Sequence, residues 1–516
     1  MHKVLLLCIL RLFMSSENLI QVSSETGTLR RLIIHSPDAG IGKVVPNKFK
    51  ELLYDDTVYL NQMRREYNDY VKLLLYFLDE EKAAYINNFE KHHFSETQAD
   101  CYKPDKPEYF NSDKVLDTQY LLAQVLEQNN LRQCIIAAVC ATEGCSFEIE
   151  KKLESIENSH ELSKILISGV LKRKENYNEF IFQPLPNFIF TRDIAVVIND
   201  HLLLGKAAND AREREMLLMK YIALHHLFKE QQHKVIEVNE SSDFFLLSES
   251  EQQKRKTSLE GGDIMMIAPA HLLVGCSERT TVNAVNKIVH SVFGNNKTGI
   301  EKISVIKIPG DRSVMHIDTV FTQVRKDVWV LFGKFSEQLI HIKNKKKYSY
   351  YHDLNAGERS GAFAEAEIIR FVKALHEEYN PARNYKQPVS FKGIVALLKN
   401  ISNEDFHVPE NEVKIIYCGN NVFPFDEREQ WTDACNLLAL KEGVVVSYDR
   451  NEETLNAFRE NGFAVVKAQE LFQKFTEKII TPKDVNNTVI TLSSAELSRA
   501  RGGSHCMSMP LLREKI

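Results

Sequence analysis

Near its end the chain reads Arg501-Gly502-Gly503-Ser504-His505-Cys506-Met507-Ser508-Met509-Pro510, with one cysteine just after a glycine-rich turn. Small residues there let backbone and ligand approach closely. A cysteine reacts as its thiolate, so Cys506 needs a positive neighbour or a cationic substrate. Four other segments carry the partners of such a nucleophile: Phe190-Thr191-Arg192-Asp193, Leu259-Glu260-Gly261-Gly262-Asp263, His316-Ile317-Asp318, and the arginines Arg212 and Arg279. An imidazole such as His316 can give a proton to a leaving group and then take one from water. Asp193, Glu260 and Asp318 offer three carboxylates, which suit the planar five-donor fork of a guanidinium. Crowded carboxylates alone would raise the cysteine pKa; a bound guanidinium would offset that and link substrate entry to activation. The set reads as a site where sulfur attacks a flat cation.

Each residue has a plainer reading when taken singly. Cys506 could be a structural thiol, His316 a satisfied core histidine, and Glu260-Gly261-Gly262-Asp263 an ordinary turn. Asp193 could cap a strand end, and Arg212 and Arg279 could lie on solvated helix faces. Their joint presence, in order, favours chemistry.

An internal repeat positions these groups. Asp193 leads, eight residues later, into His201-Leu202-Leu203-Leu204-Gly205, and Asp263 leads at the same offset into His271-Leu272-Leu273-Val274-Gly275. Each reads as strand, tight turn, strand and then a helix, over 211–224 and 280–292. A looser copy runs from Asp318 through Val328-Trp329-Val330-Leu331-Phe332-Gly333. Residues 29–35 and 413–417 are further single strands. Such self-similarity predicts an α/β fold of repeated units around a centre, with acids at equivalent strand ends. Helix formers dominate 115–172, read as an inserted helical subdomain. A second insertion, 336–411, holds Lys343-Asn344-Lys345-Lys346-Lys347, read as a solvated loop, and a predicted helix over 362–378. The charged stretch 241–257 reads as a solvated or mobile loop.

Composition narrows the class. The 516 residues carry a net charge of −5 with acids and bases intermixed, so neither nucleic acid nor an anionic membrane is expected as partner. Nine cysteines in so long a chain do not make a disulfide framework. Cys134, Cys140 and Cys145 flank an apolar stretch that reads as a buried helix, and free thiols fit a reducing cytosol. Residues 1–13 read as a weak signal-like segment or a misassigned start, and a cytoplasmic protein is favoured. No stretch is long and apolar enough to be a spanning helix.

These motifs resemble those of arginine deiminases, within the guanidino-group-modifying superfamily. Further segments join the match: Ser24-Glu25-Thr26-Gly27-Thr28-Leu29, Leu52-Leu53-Tyr54-Asp55-Asp56, Pro184-Leu185-Pro186-Asn187, Arg428-Glu429-Gln430-Trp431 and Tyr448-Asp449-Arg450-Asn451. The resemblance implies a five-bladed α/β propeller over 24–516, after an extension at 1–23. It implies that Cys506 attacks the guanidinium carbon, that His316 is acid and then base, and that Asp193 and Asp318 hold the guanidinium. Glu260 would orient His316 and the substrate. Asn187, Arg212 and Arg279 match positions that bind the α-carboxylate of free L-arginine. Arg501 matches a mobile gate, and Phe190 flanks the aliphatic stem. No metal or organic cofactor is implied, and a homodimer or homotetramer is expected. Ser504 stands where a third glycine is usual, and Ala434-Cys435 replaces glycine-alanine. Alternatives are a dihydrolase giving ornithine, an agmatine deiminase, an amidinotransferase, or an arginine-binding protein without turnover.

Overall fold

A computed structural model describes residues 20–37, 40–94, 97–173, 177–241, 244–294, 297–336, 366–374 and 385–516. The repeated units are hairpins. Ala195–Ile198 pairs antiparallel with His201–Leu204, Ile264–Ala268 with His271–Cys276, and Phe321–Arg325 with Val328–Leu331. The three first strands are fully buried except for Arg325, which explains their near-continuous apolar runs. A helix follows each hairpin: Glu213–Ile222, Val282–Gly294 and Ile394–Phe406. The chain then returns as a strand parallel to the second hairpin strand, at Val235–Ile236, Lys302–Lys307 and Lys414–Tyr417.

Two more sheets follow the same plan. Leu438–Lys441 pairs antiparallel with Val444–Tyr448, and Thr488–Leu492 adds in parallel, with Ala464–Lys467 beyond it. In the last sheet Met509–Arg513 pairs antiparallel with Leu29–Ile34, and Val115–Asp117 adds in parallel. One unit is thus split between the two ends of the described chain. Its helices, Leu60–Leu78 and Glu80–His92, were not foreseen, although Met63, Tyr67, Tyr70, Leu74 and Leu78 recur at helical spacing and are buried. The architecture is mixed α/β: five separate small sheets on this plan, each with a mostly buried first hairpin strand, and a two-stranded pair of Val170–Arg173 with Asn178–Phe180.

Within 115–172, Val115–Asp117 belongs to that last sheet, and four helices run from Thr118 to Ser168. Asn129–Glu143 carries Cys140 inward, but Cys134 is exposed, so the three cysteines do not share one buried face. The predicted helix over 362–378 is corrected where it is described: Glu367–Val372 is a strand, antiparallel to Lys302–Lys307. Its alternation decides this, with Ile368 and Arg370 buried between exposed Glu367 and Ile369. The lysine run lies outside the described residues, as do residues 1–19. Ile20 and Val22 are buried, and Val22 bridges to Asn199. The stretch 241–257 is not simply a loop. Its Glu249–Arg255 segment is helical, because Ser248 and Glu251 form a reciprocal capping box.

Candidate active site

Each of the five units delivers polar residues from the turn just before its first hairpin strand. Asp193 precedes Ala195, Glu260 precedes Ile264, and His316 and Asp318 precede Phe321. Asp433 and Asn436 precede Leu438, and Cys506 precedes Met509. The repeat therefore places residues more than 300 positions apart at equivalent strand ends. One cavity collects residues from four of these turns: its lining includes Asn187, Phe190, Asp193, Arg212, Glu260, Arg279, His316, Arg501 and Cys506, with Leu53 and Met315. Asp318 completes the expected set, its Oδ2 lying 3.6 Å from Cys506 Sγ.

Close packing fixes the two reacting groups. A Cβ on Gly262 would lie 2.5 Å from His316 Nδ1, and one on Gly502 would lie 2.2 Å from the Phe190 ring. Glycine at both positions lets the histidine and the aromatic ring seat directly on backbone. The cysteine turn is bound from several sides. Asn436 Oδ1 accepts from the Cys506 amide at 3.0 Å, and Tyr448 donates to the Gly502 carbonyl at 2.7 Å. Ser504, the departure from glycine, adds a tie: its hydroxyl donates to the Val446 carbonyl and accepts from the Leu438 amide.

The charges form a dense buried set. His316 Nε2 is 3.0 Å from Glu260 Oε2, and His316 Nδ1 is 3.8 Å from Asp193 Oδ1. Burial opposes a charged imidazole, but Asp193, Glu260 and Asp263 outweigh it and lift His316 to about 10. Burial likewise opposes the Glu260 carboxylate, while Arg212, His316 and Arg279 bring it down to about 2. Burial first, and then Asp318, Asp193 and Asp433, push the Cys506 thiol well above its ordinary value. These directions favour a thiol and a charged imidazole on the walls of one cavity.

Arg212 stands apart from the expectation of an open carboxylate clamp. Its Nη1 donates to Asp193 Oδ2 at 2.8 Å and to Glu260 Oε2 at 3.1 Å. Nε donates to Glu215 at 2.8 Å, and Nη2 to the Asn187 carbonyl at 3.4 Å. It thus sits on the acids that a guanidinium ligand would use. Arg279 is different: it is buried, and its Nε and Nη1 lack hydrogen-bond partners among the described residues. Asn187 spends its amide N–H on the Leu52 carbonyl. Arg501 adopts a left-handed backbone, φ 61°, with its guanidinium 3.4 Å from the centre of the Trp431 ring. Donor atoms of Asp193, Glu260 and His316 lie within 4.8 Å of one another, as a metal would need. The Arg212 cation already pairs with both acids, so the trio is charge-matched from within.

Sequence reasoning missed His505, Glu25, Glu215, Asp433 and Trp431 as parts of the site. Glu25 and Trp431 stood inside recognised motifs, and His505 adjoins the cysteine, but nothing in their spacing ties them to it.

Comparison with known proteins gives this arrangement its context. A family model described as arginine deiminase matches residues 50–513. The chain belongs to the arginine deiminase family. It is 27% identical over 512 residues to the arginine deiminase of Borreliella afzelii (strain PKo), covering 97% of this chain and 99% of that one. The arginine deiminase of Listeria monocytogenes serotype 4a (strain HCC23) is 26% identical over 519 residues, covering 98% and 100%. Among solved structures, an amidinotransferase from Microseira wollei superposes with a TM-score of 0.45 at 10% identity, covering 96% and 98%. Among the described residues no helix is long and apolar enough to cross a membrane.

Proposed function

We propose that this protein hydrolyses free L-arginine to L-citrulline and ammonia through a covalent adduct on Cys506. The observation that carries the reading is the single cavity shared by a buried cysteine, a histidine, paired acids and the Arg279 N–H groups that have no hydrogen-bond partner among the described residues. The substrate guanidinium takes Asp193 and Glu260 from Arg212, which turns with Arg279 to the substrate α-carboxylate. A ligand lacking that carboxylate would displace Arg212 from Asp193 and Glu260 and leave it Glu215 as its one carboxylate, which is costly for a buried charge. Specificity for free arginine follows from this exchange.

The arriving cation favours loss of the thiol proton to solvent. The thiolate attacks the guanidinium carbon and forms the sulfur–carbon bond. His316 protonates one nitrogen, which departs as ammonia and leaves an S-alkylthiouronium held by Asp193 and Asp318. The now neutral His316 takes a proton from water as its oxygen bonds to the same carbon. The carbon–sulfur bond then breaks and restores the thiolate. The remaining hydroxyl proton goes to solvent, where ammonia takes it up as ammonium. Phe190 flanks the substrate stem, Asn187 supports the carboxylate end, and Arg501 gates the mouth from its seat on Trp431.

The five alike sheets support a reading as blades of a pseudo-symmetric propeller over 24–516, with the helices of 115–172 as an inserted subdomain. A cytoplasmic homo-oligomer fits the family and the free thiols. Ammonia release from L-arginine, agmatine and an arginine-containing peptide tests the assignment. Release from arginine alone is expected; equal rates from agmatine would contradict it.

A further inference from the structure

His505 has no part in the chemistry above, yet it is 2% exposed and sits on the oxygen that faces the nucleophile. Its Nδ1 lies 2.9 Å from Asp318 Oδ2, the same atom that lies 3.6 Å from Cys506 Sγ. An ionised carboxylate can only accept, so the ring donates to Asp318 from Nδ1. Its Nε2 lies 3.2 Å from Glu25 Oε2. Glu25 is anchored in turn: Oε1 accepts from Arg192 Nη2 at 2.6 Å and from the Met266 amide at 3.2 Å. Arg192 Nη2 also donates to the Ile264 carbonyl at 2.6 Å. Arg192, Glu25, His505 and Asp318 thus form one buried run of hydrogen-bonded ionisable groups beneath the cavity, tied to the backbone of the second hairpin.

Burying so many ionisable groups is costly unless each is paired, and removing one member leaves its neighbour uncompensated. Asp318 is the one member of this run that contacts the sulfur, and its Oδ1 has no hydrogen-bond partner among the described residues. We propose that His505 is a positioning residue that fixes the Asp318 carboxylate, leaving Oδ1 free for a substrate guanidinium N–H, with Glu25 and Arg192 fixing the ring. The electrostatics agree. Burial would raise the Asp318 pKa, and the bond from His505 is foremost among the influences that bring it below its ordinary value.

This inference rests on the proposed reaction, and the test separates the two. Citrulline formation is followed in wild type, His505→Asn, His505→Gln and His505→Ala, with the thermal midpoint of each. An asparagine amide can donate to Asp318 from the place of Nδ1, whereas a glutamine amide takes the place of Nε2 and reaches Glu25. The expected result is a wild-type-like kcat for His505→Asn. For His505→Gln and His505→Ala we expect a kcat loss of about 100-fold, larger than any change in KM. Equal kcat for Asn and Gln variants, or losses that track the thermal midpoint alone, would overturn the positioning role. An active wild type with unaffected variants refutes His505 alone. A wild type that forms no citrulline refutes the reaction itself.

Discussion

At the level of single residues, the site is a balance between burial and pairing. Its charged members are nearly solvent-free, and each is held by an opposite charge within a few ångströms. Arg279, like Arg501, keeps N–H groups without hydrogen-bond partners among the described residues, so its loss should show in the substrate more than in the fold. Arg279→Ala is expected to lower kcat/KM for L-arginine about 10- to 100-fold, the worth of one charged hydrogen bond, and to leave any weak agmatine use unchanged. Parallel losses on both substrates would remove the carboxylate assignment. The acids, the histidine and the cysteine were legible because each lies in a motif whose residue types match one chemistry. Arg212 was legible as a participant but not in its position. No sequence pattern shows that this buried cation pairs with Asp193 and Glu260. His505 escaped notice for a related reason: its role depends on Asp318 and Glu25, 187 and 480 residues away.

The turn before each hairpin is the element that carries function, and it tolerates little added volume. Gly262→Ala would drive a methyl group into His316, where 2.5 Å of separation leaves no room. The imidazole must then leave Glu260, so kcat should fall by about 100-fold in a protein that still folds. A Gly262→Ala enzyme with wild-type turnover would show that the histidine seat is unimportant. Ser504→Gly tests the opposite sense, since it restores the usual glycine but removes two hydrogen bonds to the adjacent hairpin. A stability loss of about 1 kcal/mol, read as a lower denaturation midpoint at unchanged slope, is expected. The hairpins at 195–204 and 264–276 were legible from their matched offsets. The strand Glu367–Val372 was not, because a short apolar run with flanking charges fits both periods until its partner Lys302–Lys307 is known.

Across the whole molecule, the buried site sets a pH window for stability. His316 is raised from 6.5 to about 10, so its contribution is complete below pH 6.5 and is lost as pH rises through 10. Glu260 is lowered from 4.5 to about 2, so its contribution is complete above pH 4.5 and is lost as pH falls through 2. The joint contribution of these two groups to the thermal midpoint should therefore be highest between about pH 4.5 and 6.5 and fall on either side. His316→Asn should flatten the alkaline fall; an unchanged alkaline limb would mean that the histidine is not charged in the folded state. The repeated hairpin was readable from sequence for three sheets, and its following helix for two. The sheet formed by the two chain ends was not, because its strands, Leu29–Ile34 and Met509–Arg513, are nearly 480 residues apart and share no local pattern. That closure brings Cys506 to the acids, and so the nucleophile depends on the fold as a whole. The most direct test of the account is mass analysis of the carbon product after L-arginine is incubated with wild type and with Cys506→Ala. Citrulline from wild type alone is the predicted result; ornithine, or citrulline formed equally by the Cys506→Ala protein, would contradict it.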